Sequence, residues 1–385
     1  MYTSSFASPS SDEILLAPVK IDRKWGYIDK TGKTAIKPQF EGAGVFKEGL
    51  AGIQLGTKWG YIDKNGKIVI NPQFEGVGVF QEGLAGIQLG GKLGFIDKNG
   101  KIAIKPQFEG AWSFQEGLAK IKLGGKYGFI DNTGKTVISP QFDETWFFKE
   151  GLAGIQLGTK WGYIDKNGKM VLEPQFKEAW WFQEGLASIK LDSKWGYIDK
   201  NGKIAIKPQF GFASFFKEGL ARVKIGGIFG KWGYIDKSGK TITNPQFDEA
   251  EDFQEGLARI KLDDKYGYID KSGKIVSKPQ FYDAGVFQEG LARIELGSIL
   301  ARILRGSLSR ILLGTILTWI LLRTQGGRWG YMDKNGKIVI KPRFNKAEDF
   351  QEGLARIKLG GKWGYIDKNG KMVINPQFEE AGEFN

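Results

Sequence analysis

The 385-residue chain contains neither cysteine nor histidine. Without cysteine there is no disulfide, no thiolate nucleophile and no thiolate metal site; without histidine there is no imidazole base and no histidine-ligated zinc. Most familiar enzyme chemistries are thereby excluded, and no cofactor or metal is expected. Long apolar runs are also missing. The longest, Ile311–Leu322, holds 12 residues, short of the ~20 that span a bilayer. What the chain does have is 56 glycines, 12 tryptophans and 27 phenylalanines in a composition that is 41% apolar and 26% charged, as in a folded protein. The formal net charge is +13, but the excess is spread evenly, with no basic arm or charge block. A solvated, lysine-rich β surface accounts for it.

The even spread has a cause. One phrase recurs ten times, opening at Lys24, Lys58, Lys92, Lys126, Lys160, Lys194, Lys231, Lys265, Arg328 and Lys362. The spacing is 34 residues, interrupted by three extra residues within Gly226–Gly230 and by 29 extra residues, 298–326. A 34-residue period also belongs to helical repeats, so the period alone does not choose the fold. Composition does, because each copy holds several glycines and a proline, and its apolar residues alternate at period two.

In the copy from Gly49 to Gly83, Ala51, Ile53 and Leu55 alternate with Gly52 and Gln54, predicting a strand with one face inward. A Gly-Thr turn leads into a second strand, Lys58–Asp63, rich in aromatic and β-branched residues. Asp63-Lys64-Asn65-Gly66 fits a tight hairpin with glycine where φ must be positive. A third strand, Lys67–Ile70, is expected to end at Pro72, which cannot donate to a ladder. Phe74 and Phe80 then anchor a connecting loop. Ten such three-stranded meanders, with first strands at Leu16, Leu50, Leu84, Leu118, Leu152, Leu186, Leu220, Leu257, Leu291 and Leu354, must share a continuous core, since one alone buries too little. The expected architecture is an all-β, open, elongated β superhelix, a solenoid. A closed, propeller-like toroid is the alternative, disfavoured because blades usually number four to eight with four strands each. The expected organisation is a disordered tail, 1–15; the array, 16–297; the insertion, 298–326; and the rest of the array, 327–385.

The run Lys-Trp-Gly-Tyr-Ile-Asp-Lys-Asn-Gly-Lys, followed by Pro-Gln-Phe and Glu-Gly-Leu-Ala, resembles the WG-repeat (KWG) family across Leu16–Asn385 apart from the insertion. The resemblance implies a bacterial tandem β-repeat protein, mostly without an assigned activity. There is a weaker similarity to cell-wall choline-binding repeats, whose aromatic hairpins also close on Asn-Gly or Asp-Gly turns.

Catalysis needs a singular constellation. Here Asp29, Asp63, Asp97 and their counterparts occupy one equivalent position, and Glu48, Glu82 and Glu116 another. Identical acids in every copy are structural, and a non-enzymatic binding scaffold is expected. The strand tryptophans Trp25, Trp59, Trp161, Trp195, Trp232, Trp329 and Trp363 tolerate Leu93, Tyr127 and Tyr266 in their column, which predicts packing. A second aromatic set differs in kind. The loop column held by Gly44, Gly78, Glu251, Gly285 and Glu348 becomes Trp112, Trp146 and Trp180 in three successive units, with Phe147, Trp181 and Phe215 adjacent. Positions that accept glycine or glutamate elsewhere suggest an exposed aromatic stripe, a candidate contact for a protein or polysaccharide partner. The rival is loops that lean together and bury the rings.

A basic strip develops along the first strands, where Gly52 and Gln54 give way to Arg222 and Lys224, Arg259 and Lys261, and Arg356 and Lys358, joined by Lys120, Lys122 and Lys190. A solvated polar face is the default; a polyanion track is the functional alternative. Stacking aromatics do not interleave it, so sequence-specific nucleic-acid readout is not expected. The insertion carries Arg302, Arg305, Arg310 and Arg323 with no acid. Arg302, Arg305 and Trp319 are its candidate membrane contacts if it lies as an interfacial helix; a tolerated loop insertion is the plainer account. Residues 1–12 show no basic region or apolar stretch of a secretory signal, so a cytoplasmic location is expected, with envelope association as the alternative. Terminal strands left unpaired would favour end-to-end self-association.

Overall fold

The computed structural model describes residues 14–226, 230–297 and 328–385. The described chain is all β, arranged as ten four-stranded antiparallel sheets. Within each repeat the first two strands and the Asp-x-x-Gly turn are as expected. Leu50–Leu55 pairs in register with Lys58–Asp63, and the Asp63 carboxylate accepts the N–H groups of Asn65 and Lys67, both at 2.9 Å, while Gly66 takes φ +80°. That is the turn chemistry Asp-x-x-Gly demands.

The third strand does not stop at proline. It runs from Ile68 to Phe74, with Tyr61 opposite Ile70 and Trp59 opposite Phe74, so three residues on one strand bulge past Gly60 alone on the other. Pro72 sits in that bulge, where no ladder donor is needed. The bulged strand presses onto its neighbour so closely that a Cβ on Gly60 would lie 2.4 Å from the Ile70 carbonyl oxygen and 2.7 Å from Pro72 N. The glycine of each Trp-Gly pair is therefore a steric requirement of the proline bulge.

One residue after the bulged strand, the chain switches sheets. Gly76–Val77, inside what reads as a connecting loop, is a two-residue edge strand paired with Leu84–Leu89 of the next repeat. Each sheet thus takes its edge strand from the repeat before it, and the meander of three becomes a blade of four. The first sheet takes its edge strand from the other end of the chain: Glu380–Ala381 pairs with Lys20 and Val19, and Leu16 and Asn385 exchange two backbone hydrogen bonds of 3.1 and 3.2 Å. The array is accordingly a closed ten-bladed β-propeller. The expected open superhelix, or solenoid, is corrected by this pairing, which also joins the terminal edges on which end-to-end association rested.

The core lies between blades. Leu50, Tyr61, Ile70 and Phe74 of blade 2 pack against Phe80, Ala85, Ile87 and Ile96 of blade 3. The closing interface, Ala17, Val19 and Ile28 against Tyr365, Ile374 and Phe378, has the same make-up. The alternation expected along the leading strand holds, with Ala51 and Ile53 buried and Gly52 and Gln54 half-buried, and the Gly52 side meets Val77 of the next blade. The fully buried aromatic ladder is tyrosine on phenylalanine, as in Tyr61–Phe80 at 4.9 Å between centroids, each ring at most 1% exposed. Of the strand tryptophans Trp161 and Trp195 are buried, and Trp25, Trp232, Trp329 and Trp363 pack half-buried against the core, in line with the packing role expected of that column.

Candidate functional site

The singular feature of this copied frame is a pair of facing columns beside the edge strands. The loop residue after each edge strand donates its N–H to the carbonyl of the third residue of the leading strand, as Gly44 does to Gly52 (2.8 Å), Trp112 to Lys120 (3.1 Å), Trp146 to Gly154 (2.9 Å) and Trp180 to Ser188 (3.0 Å). The two columns fill one space between successive blades. In blades 2 to 10 their occupants fall into three sectors: glycine with glycine in blades 2 and 3, aromatic rings from blade 4 into blade 7, and arginine with carboxylates in blades 7 to 10; in blade 1 Gly382 faces Pro18.

In the aromatic sector the predicted residues come together, though as a half-buried stack. Trp146 lies nearly parallel to Trp161 (5.3 Å, 13°) and to Trp180 of the next blade (5.5 Å, 17°). Its indole N–H donates to the Ala179 carbonyl at 2.8 Å. Gly154 makes the room, since a Cβ there would be 2.7 Å from the indole. Trp181 stands edge-on to both stacked rings and tilts against Phe215 at 5.6 Å. Lys149 lies over Trp181 and donates to Gln183 at 2.7 Å, and burial holds its ammonium below the usual lysine range. Trp112 and Phe147 sit around Lys120, whose ammonium is 4.4 Å from the Trp112 ring, 4.7 Å from Tyr127 and 5.3 Å from Phe147. Lys120 is only 8% exposed; it donates to the Thr145 carbonyl at 3.1 Å and pairs with Glu144 at 3.3 Å, so its charge is held by a π box, a carbonyl and a carboxylate.

The arginines of the basic strip turn into the ring. Arg222 donates to the Ala250 carbonyl at 2.5 Å and pairs with Asp252 at 3.0 Å; Arg259 donates to Ala284 O and Arg356 to Ala381 O. Arg293, which the sequence did not single out, donates to Ala347 O at 3.0 Å, and its Nε lies 3.0 Å from Asp349 without hydrogen-bond alignment. Burial raises the Asp349 carboxyl above its usual range against the pull of Arg293. Lys261 pairs with Glu249 at 2.8 Å, and Lys358 lies over Trp363 at 5.5 Å. Lys224 also lies over an indole, that of Trp232, at 5.9 Å. Lys122 and Lys190 likewise lie over Tyr127 and Trp195, at 5.1 and 5.7 Å. These cations are largely matched within the molecule.

Where the glycine sector meets the aromatic one, a half-open cavity of about 330 Å³ is lined by Gly76, Val77, Gly78, Gly86, Ile87, Gln88, Leu93, Ala111, Trp112 and Ser113. Sequence reasoning passed over it. Its signal was the coincidence of two glycines in the facing columns, leucine in the strand-tryptophan column, and tryptophan in the next blade. Arg302, Arg305 and Trp319 lie outside the described residues. Among the described residues no cluster of three or more metal-ligating side chains occurs, and no helix is long and apolar enough to cross a membrane.

No curated protein sequence matches the chain. Among solved structures it is similar to a eukaryotic initiation factor (10% identity, TM-score 0.49, 87% of this chain and 97% of that one). It is also similar to the dihydro-heme d1 dehydrogenase NirN in complex with DHE (14%, 0.38, 89% and 76%) and to Hsv2p of Kluyveromyces lactis (6%, 0.34, 66% and 90%). At these identities and scores the likeness carries no functional information. The WG containing repeat profile matches at residues 25–59, 59–92, 94–127, 127–161, 161–195, 195–227, 232–266, 266–298, 329–363 and 363–385. Every blade carries the Trp-strand signature or a close variant of it, and the chain belongs to the WG containing repeat family.

Proposed function

We propose that this propeller is a non-enzymatic scaffold that binds a protein or polysaccharide partner over an extended surface centred on the aromatic sector. One observation carries the reading. The frame is copied from blade to blade, yet the loop column and the position after it depart from it in consecutive blades to gather Trp112, Trp146, Phe147, Trp180, Trp181 and Phe215. Closing the ring does not require aromatic rings there, since blades with glycine pairs or arginine–carboxylate pairs at these positions take the same frame. Clustered, half-buried indoles are the side chains that contribute most to recognition per contact, and the acids repeat too regularly to supply a catalytic pair.

The test compares wild type with Trp181→Ala/Phe215→Ala, two rings at the rim of the stack, matched for folding by circular dichroism. Both are passed over immobilised polysaccharides and over soluble, membrane and envelope fractions, with any captured partner then purified and titrated. Saturable binding that falls at least tenfold in the variant supports the reading; equal binding by both proteins rejects the aromatic sector as the contact surface.

A further inference from the structure

The ring contains its own template for the cavity between blades 3 and 4. Two blades further on, the same space is filled by the Trp146 indole, which lies on Gly154, stacks between Trp161 and Trp180, and donates its N–H to Ala179 O. Subtracting two repeats converts Gly154 into Gly86, Trp180 into Trp112 and Ala179 into Ala111, all of which line the cavity. Trp146 itself becomes Gly78, and Trp161 becomes Leu93. The floor, one aromatic wall and the acceptor persist, while the indole is gone and the opposite wall is smaller.

The acceptor is set by strand geometry. Trp112 N–H is hydrogen-bonded across the ladder to Lys120 O, so the preceding residue of the edge strand, Ala111, faces its carbonyl away from the ladder toward blade 3. The equivalent carbonyls of Thr145, Ala179, Ala250 and Ala347 each take a side-chain donor from the blade before. In blade 3 the two positions that supply such donors, Gly78 and Gly86, have no side chain. Where the donor is an arginine or lysine, a carboxylate accompanies it; the cavity lining contains none, which selects a neutral donor.

We propose that this cavity is a binding site for a planar aromatic group bearing an N–H donor, of which indole is the type, stacked on Trp112 and hydrogen-bonded to Ala111 O. The volume of about 330 Å³ is ample, since a cavity of roughly 150 Å³ holds a benzene ring. The site deepens the binding reading through Trp112, but the titration below uses the purified protein alone, so it succeeds or fails independently of retention on any partner.

Calorimetric titration of the full chain with indole, with N-methylindole and with a blocked Gly-Trp-Gly peptide tests the assignment. Indole should bind saturably at one site, and N-methylindole, which lacks the donor, about three- to tenfold more weakly, the worth of one net hydrogen bond. Gly78→Trp restores the indole of blade 5, and a Cβ at Gly78 meets nothing closer than 3.6 Å. It should fold with an unchanged or higher melting temperature and lose at least tenfold in indole affinity. If that variant fails to fold, Leu93→Trp, which restores the residue that seven other repeats carry, blocks the same space. Tighter binding of the peptide than of free indole assigns the natural occupant to a partner's tryptophan, and the reverse assigns it to a small molecule; both support the site. Absence of saturable indole binding, equal binding of N-methylindole, or unchanged affinity in the blocking variants would overturn it.

Discussion

Lys30 and Glu352 are 322 residues apart in sequence, and their charged groups are 3.4 Å apart. The pair is the closing member of a series. Lys98 meets Glu48 at 3.1 Å, Lys166 meets Glu116 at 3.0 Å and Lys368 meets Glu289 at 3.0 Å, each joining a hairpin turn to the loop of the blade before. Each of these glutamates sits at positive φ near +50°, and those of blades 2 to 9 also accept a backbone N–H from the following blade, as Glu48 does from Gly83 at 3.1 Å. The acid that precedes the leading strand of blades 2 to 10 is thus an inter-blade latch. It survives the long insertion: Gly353 still donates to Glu289 at 3.0 Å, and Leu291–Leu296 pairs with Arg328–Asp333 in the register of every other blade.

Ring closure gives the first prediction. Phe384 is 2% exposed and packs on Tyr365 at 5.0 Å, so Phe384→Ala should cost about 3–5 kcal/mol, as for other buried phenylalanines. Removing residues 379–385 would free the leading edge of blade 1, and light scattering should then detect concentration-dependent association that the intact ring does not show.

Two glycines should respond differently to alanine. At Gly60 the new methyl would meet backbone at 2.4 Å, with nothing flexible to yield, and several kcal/mol should be lost in urea unfolding. At Gly83, with φ +82° and nothing within 4 Å, the cost should be near 1 kcal/mol, the left-handed penalty alone.

Trp146→Phe should retain much of the stack but release the Ala179 carbonyl, for a loss of about 1 kcal/mol. Trp146→Ala, which empties the space as well, should lose about 3 kcal/mol. Urea unfolding of the two variants separates the hydrogen bond from the stack.

Acid should loosen the ring through the latches. Burial pushes the Glu218 and Glu255 carboxyls up, but the ammonium groups of Lys271 and Lys334 and the backbone donors of Gly256 and Gly290 outweigh it, and both sit below the usual range. Asp270 is lowered too, chiefly by the Ser272 hydroxyl. A carboxylate with a depressed folded pKa contributes stability above its unfolded value, near pH 4, and loses it as pH falls through the folded value. Melting temperature should therefore drop as pH is lowered below about 4.5, and Glu218→Gln/Glu255→Gln should flatten that dependence.

The sequence determined the repeat, the first two strands of each unit and its turns, because these rest on contacts a few residues apart: the Asp63 side chain on its own turn and the alternation of Ala51 and Ile53. It also marked the aromatic column at Trp112, Trp146 and Trp180, since departure from a copied frame is visible in the letters alone. Closure was decided only by the tertiary structure. A two-residue strand such as Gly76–Val77 has no periodicity to betray it, and its partner lies in the next repeat. Whether ten small rotations between blades sum to a full turn depends on the volumes packed between them. Burial of the arginine strip was hidden for the same reason, since Arg222 finds its carbonyl and its carboxylate on the neighbouring blade. The cavity beside Trp112 exists because two glycines and a leucine from three segments share one space, which only the assembled ring brings together.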